Sequence, residues 1–77
     1  MRVYSKEIIS YAFYKHVELV DFEDYVYRGW LVPDINNPKN YLILSEHRDN
    51  IPVFKRSHIK SITYTSNGYT LPKRGIN

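Results

Sequence analysis

Tyr25-Val26-Tyr27-Arg28-Gly29-Trp30-Leu31-Val32 is the stretch whose reading decides the fold of this chain. It is built from β-branched and aromatic residues, which fit a pleated, half-buried surface. As a strand it puts Tyr25, Tyr27, Gly29 and Leu31 on one face and Val26, Arg28, Trp30 and Val32 on the other. Bulk on both faces predicts that the second is partly covered as well, by a helix. A glycine inside such a run marks a sharp bend or a close approach of a neighbouring backbone. Small barrels need bends of this kind to close. Gly29 therefore predicts a curled sheet with Tyr27 and Leu31 inside.

The flanking sequence supplies the other strands. Val17 to Val20 alternates apolar and polar residues and reads as the first strand, with a tight turn over Asp21 to Asp24. Pro33 to Asn40 is a polar loop with two Pro and three Asn. Tyr41 to Leu44 reads as an interior third strand, because both of its faces are apolar. Ile51 to Arg56 reads as the fourth strand, and Pro52 near its start suggests a sheet edge or the strand's first residues. Ser57 and His58 make a brief break before a fifth strand over Ile59 to Tyr64. Asn67-Gly68 is a strong turn signal that would fold Tyr69 to Leu71 back as a short extra strand.

Upstream, Ser5 is a good N-cap, with Ile8, Ile9, Ala12 and Phe13 following at helical spacing. This predicts a helix over 5–16 that covers an open end of the sheet. The expected architecture is mainly β: an N-terminal α-helix, then a strongly bent five-stranded antiparallel small barrel. It forms a single domain over 1–71, followed by a flexible basic tail over 72–77.

Composition narrows the options. The chain has 77 residues and no Cys, so neither disulfides nor thiolate zinc sites can support a small core. His16, His47 and His58 lie far apart and show no metal-ligand spacing. Oligomerisation is the remedy left for a chain this short, with a well-packed monomer as the alternative. Lys6 and Glu7 interrupt any apolar run at the N-terminus, and no stretch approaches the roughly 18 apolar residues of a membrane span. The expectation is a soluble, cytoplasmic protein with no membrane segment.

No phosphate-cradling glycine loop, Ser-centred elbow or metal spacing is visible. The carboxylates Asp21, Glu23 and Asp24 gather in a turn, where solvated charge is their ordinary role. The reading is therefore not an enzyme, with no cofactor. Charge is more informative. Net charge is +3, but residues 1–46 carry five basic and seven acidic side chains, whereas residues 47–77 carry six basic ones against Asp49. Lys55, Arg56, His58 and Lys60 gather where strands four and five meet. Lys and Arg neutralise phosphates, Asn can pair with base edges, and aromatic planes stack on unpaired bases.

Two segments carry a resemblance. Val17-Glu18-Leu19-Val20, Tyr27 to Asp34 and Asn40 to Leu44 together resemble the first motif of the Sm-like family, with its Gly-x-Leu bend, Asp, Asn and third apolar strand. Val53-Phe54-Lys55-Arg56-Ser57-His58-Ile59-Lys60-Ser61-Ile62 resembles the second Sm motif, and also the Tyr-Lys-His segment of bacterial Hfq. The resemblance spans about residues 5–64. It implies single-stranded RNA binding by an oligomeric ring, a homo-hexamer or heptamer joined through strands 51–56 and 59–64, acting as an RNA chaperone or regulator. It implies Asn40 and Arg56 as RNA-binding residues, Lys55 and His58 as their neighbours, and Asp34 as loop support. Ser57 stands where the second motif has Gly, and Pro38 where the family often carries a stacking aromatic or His. The alternative is a small-barrel protein-interaction or structural adaptor without nucleic-acid binding, using Tyr25, Tyr27, Trp30 and Tyr64 as an exposed aromatic surface.

Overall fold

Ser5 opens the first element of the computed structural model, which describes residues 2–47 and 49–73. Its hydroxyl accepts the Ile8 N–H at 3.2 Å and caps helix α1, Lys6–Ser10. The helix is five residues long, shorter than the 5–16 predicted. Beyond Ser10 the N–H groups of Tyr11, Ala12 and Phe13 bond three residues back, to Ile8, Ile9 and Ser10. Tyr14 has φ 65°, and its N–H donates to Leu31 at 2.7 Å. Tight turns preserve the three-residue spacing of a helix, so Ala12 is still buried although it lies outside α1. Ile8, Ile9, Tyr11, Phe13 and Tyr14 are mediocre helix formers, and a run this short gains little from propagation.

The five strands are β1 His16–Asp21, β2 Val26–Pro33, β3 Asn40–Leu44, β4 Val53–Lys55 and β5 Ile59–Tyr64. They form one antiparallel sheet in the order β4-β3-β2-β1-β5. A 3-10 turn, Arg56–His58, joins β4 to β5. The sheet is open, since β4 and β5 are its two edges and do not pair with each other. Even so, it cannot be flat. Four inter-strand steps of about 4.8 Å put the edges of a flat sheet roughly 19 Å apart, and the short link from Lys55 to Ile59 spans at most about 14 Å. The sheet must curl to bring its edges within reach of that link.

Gly29 permits the curl. A Cβ at this position would collide with the Leu44 carbonyl oxygen and sit 2.8 Å from Ile43 Cγ2. The glycine serves the close backbone approach that its place in the strand implies. Val17, Leu19, Leu31, Tyr41, Ile43, Phe54, Ile59 and Ile62 line the concave face, and Tyr4, Ile8, Ile9, Ala12 and Leu71 close it. Tyr27 packs against this core. The other face of β2 is not covered by the helix as the sequence suggested. Trp30 is 49% exposed and Val26 48%, and the His16 ring meets Trp30 edge-on at 5.2 Å.

The C-terminal segment returns along β5, as the turn signal predicts. Asn67 Oδ1 accepts the Tyr69 N–H, and Gly68 has φ 74°. Tyr64 N–H then donates to Tyr69, Leu71 N–H to Ile62 and Gly68 N–H to Tyr64, at 2.8–2.9 Å. The buried Tyr4 hydroxyl completes this edge by accepting the Ile62 N–H at 3.1 Å and donating to the Leu71 carbonyl at 2.8 Å. Lys73 was expected in a frayed tail. Instead it bonds the Lys60 carbonyl and sits 3.8 Å above the Tyr4 ring centroid. The rest of the predicted tail, 74–77, lies outside the described residues.

Candidate nucleic-acid interface

The loop between β2 and β3 is shaped by its own polar side chains. Asp34 Oδ1 accepts the Asn36 N–H at 3.0 Å, and the Asp34 carbonyl accepts the Asn37 N–H at 3.2 Å. Asn37 Oδ1 accepts the Lys39 N–H at 3.2 Å, and Asp34 and Asn40 bond across the loop base at 3.2 Å. Such Asx geometry fixes a turn without helix or sheet partners. Asp34 therefore braces the loop that carries Lys39 and Asn40.

Strand register sets the next contact. Asn40 of β3 lies opposite Lys55 of β4, which brings their side chains together on one face. Arg56 follows at the start of the 3-10 turn, and its Nη1 donates to the Tyr4 carbonyl at 3.1 Å. Lys6, in the first turn of α1, closes the site from the helix side. The result is a cleft of about 490 Å³ lined by Lys6, Asn37, Lys39, Asn40, Tyr41, Lys55, Arg56 and Ser57. Among the described residues that line it are four cations and no carboxylate. Desolvation raises the Tyr41 phenol above its ordinary value, with the Arg56 charge opposing that rise. Tyr41 is therefore a neutral hydroxyl at physiological pH, beside a fixed cation.

Of the residues singled out in the sequence, Asn40, Lys55 and Arg56 share this cleft, and Asp34 supports its loop. His58 does not join them. It lines a separate cleft of about 420 Å³ with Asp21, Phe22, Glu23, Tyr27 and Phe54, an acidic and aromatic setting. The 3-10 turn explains the split, because Arg56 and His58 sit at its opposite ends. Lys6, Lys39, Tyr41 and Ser57 were not singled out as site residues. The adjacency of Lys39 to Asn40 was a usable signal, but nothing local to Lys6 reveals that α1 turns it towards a loop more than thirty residues away.

A second cleft of about 450 Å³ adjoins the first and shares Lys6 and Tyr41 with it. Its other lining residues are Ser10, Phe13, Pro33, Asp34, Ile35 and Pro38. Among the described residues, no group of three or more His, Cys, Asp or Glu could hold a metal. No helix among them is long and apolar enough to cross a membrane. Comparison with protein-family models, with curated proteins and with solved structures finds no match for this chain.

Proposed function

We propose that this chain is a small Sm-like protein that binds single-stranded RNA, as a chaperone or regulator. The observation that carries the reading is the convergence of Lys6, Lys39, Lys55 and Arg56 with Asn40 on one cleft. Cations at this density suit a phosphodiester backbone, and an adjacent amide and phenol suit base edges. The two motif resemblances, the helix ahead of the sheet and the single short turn between β4 and β5 support the same reading. A cytoplasmic location belongs to this proposal and rests on the RNA reading.

Assembly into a ring through β4 and β5 is the further part of the proposal. It is supported by the position of these two strands at the sheet edges. The β5 edge, however, already pairs with residues 68–71 of the same chain, so ring formation requires this segment to leave.

The deciding experiment is titration of labelled single-stranded RNA across a salt series, with Lys55→Ala as the first variant. Each phosphate neutralised on a single strand contributes a slope of about −0.7 in log affinity against log salt. Lys55→Ala should flatten the slope by about that amount. Lys55 is the cleaner test, because Arg56 also holds the Tyr4 carbonyl. An absence of binding at low salt would remove the proposal.

One observation favours a second reading, protein interaction. Cross-strand pairing sets Trp30 beside Leu44, and Val32, Leu42 and Val53 in a row, on the outer face of the sheet. Trp30, Leu44 and Val53 are 49%, 36% and 54% exposed. A partner seated there would be lost on Trp30→Ser, whereas RNA binding in the cleft would not change.

A further inference from the structure

We infer that the apolar cleft between α1 and the β2–β3 loop receives an unpaired nucleobase whose phosphates lie on the neighbouring cationic cleft. The inference rests on the RNA-binding reading and adds where the base goes.

The two clefts meet at Lys6 and Tyr41 and differ sharply in chemistry. On one side stand the four cations. On the other, the rings of Phe13 and Tyr41 lie with centroids 5.9 Å apart, flanked by Pro33, Pro38 and Ile35. A nucleotide has the same division, with a charged phosphate on one end and a flat, largely apolar base on the other. The volume of about 450 Å³ leaves ample room for a base beside these side chains.

Ile35 is the independent observation. It sits on the loop braced by Asp34 and is 92% exposed at the mouth of the apolar cleft. An isoleucine held so far into water in a loop shaped by Asx turns adds nothing to the core. Placed against a base it would cover one face of the ring. Among the described residues Asp34 is the only carboxylate lining this cleft, and its Oδ1 is engaged by the Asn36 N–H. A phosphate placed in this cleft would meet the Asp34 carboxylate, whereas the described lining of the cationic cleft has none, which favours one orientation of the nucleotide.

The test compares two probes of equal phosphate count by fluorescence anisotropy. One is a short mixed-sequence single-stranded RNA, and the other an abasic ribose-phosphate oligomer. A base held against apolar and aromatic side chains should make the RNA bind about tenfold more tightly than the abasic oligomer. The two should share one salt slope, because the apolar cleft adds no cation beyond Lys6, which it shares with the cationic cleft. Ile35→Ser, a change at an exposed loop residue, should weaken RNA binding several-fold and leave the abasic oligomer unaffected. Phe13→Leu tests the floor of the same cleft and should act in the same direction. Equal binding of the two probes, with Ile35→Ser silent and Lys55→Ala weakening both, would overturn the inference while sparing the cationic cleft. Failure of both probes to bind at low salt would overturn the inference together with the RNA reading beneath it.

Discussion

Replacing Tyr4 by Phe deletes a single oxygen and should unfold this protein at a much lower temperature. The Tyr4 hydroxyl accepts the Ile62 N–H at 3.1 Å and donates to the Leu71 carbonyl at 2.8 Å, and the side chain is fully buried. Phe retains the ring, so packing and the contact with Lys73 are preserved. What is lost is the partner of two backbone groups that water reaches poorly. Leaving a buried donor or acceptor unmatched costs about 1–3 kcal/mol, so the pair should cost roughly 2–6 kcal/mol. For a chain of 77 residues the total stability is on the order of 4–12 kcal/mol. The substitution therefore removes a large share of it, and the melting temperature should fall by roughly 8–48 °C. Tyr64→Phe is the matched control, because its hydroxyl donates to the Tyr11 carbonyl at 3.2 Å in an exposed setting. That change should cost under about 1 kcal/mol. Circular dichroism melts of the three proteins measure both effects, and hydrogen exchange at the Ile62 amide locates the first. Equal melting temperatures for the two variants would refute the assignment of Tyr4 as the tie between β5 and the C-terminal segment.

Gly29→Ala should destabilise the fold by at least about 2–3 kcal/mol in urea unfolding, because its Cβ runs into the backbone of β3 and the strands cannot part without losing the curl. Burial raises the phenols of Tyr4, Tyr41 and Tyr64 above the ordinary 10.0, so the unfolded chain releases those protons first and stability should fall as pH rises past about 10. Burial lowers Lys73, which works the other way as its ammonium deprotonates sooner in the folded protein, but it is one group against three. Unfolding free energies that stay flat or rise from about pH 9 to about pH 11 would contradict the net sign. Removing residues 68–77 should uncover the β5 edge and raise the mass measured by analytical ultracentrifugation, and an unchanged mass would show that this edge has no affinity for a second copy.

The strands were legible because their signals are local. Val17 and Leu19 alternate with polar residues, and period two places Tyr27 with Leu31, and Tyr41 with Ile43, on one face whatever the tertiary detail. Pro52 pointed to an edge or to the start of a strand for the same kind of reason, since a missing N–H is tolerated at both, and β4 is an edge strand that begins one residue after it. The helix end was not legible, because Ala12 and Phe13 keep a spacing that both a helix and a succession of tight turns satisfy. What decides between them is the distant hydrogen bond from Tyr14 to Leu31. The site divided along the same line. Asn40 and Lys55 come together through register, which follows once the strands are in place. His58 sits two residues from Arg56, yet the intervening 3-10 turn sends it into a different cleft. Lys6 and Ile35 gain their meaning only when α1 and the β2–β3 loop meet.

The short length of the chain made oligomerisation the expected source of stability, and the fold supplies part of that stability internally. β5 spends its outward N–H and C=O groups at Ile62 and Tyr64 on residues 68–71 and on Tyr4. β4 offers only three residues, with Pro52 before them and Lys55 at their end. Short length, Pro and Lys are the features that keep an edge strand from recruiting partners. The groups that would join one copy to the next are thus the same groups that close the single chain, and the two uses exclude each other at β5. Any assembly through this edge must offset the loss of the bonds to residues 68–71 and the exposure of Leu71. It should therefore be concentrated by conditions that release the C-terminal segment, and Tyr4→Phe, which loosens that segment without removing it, should move the balance in the same direction as the truncation.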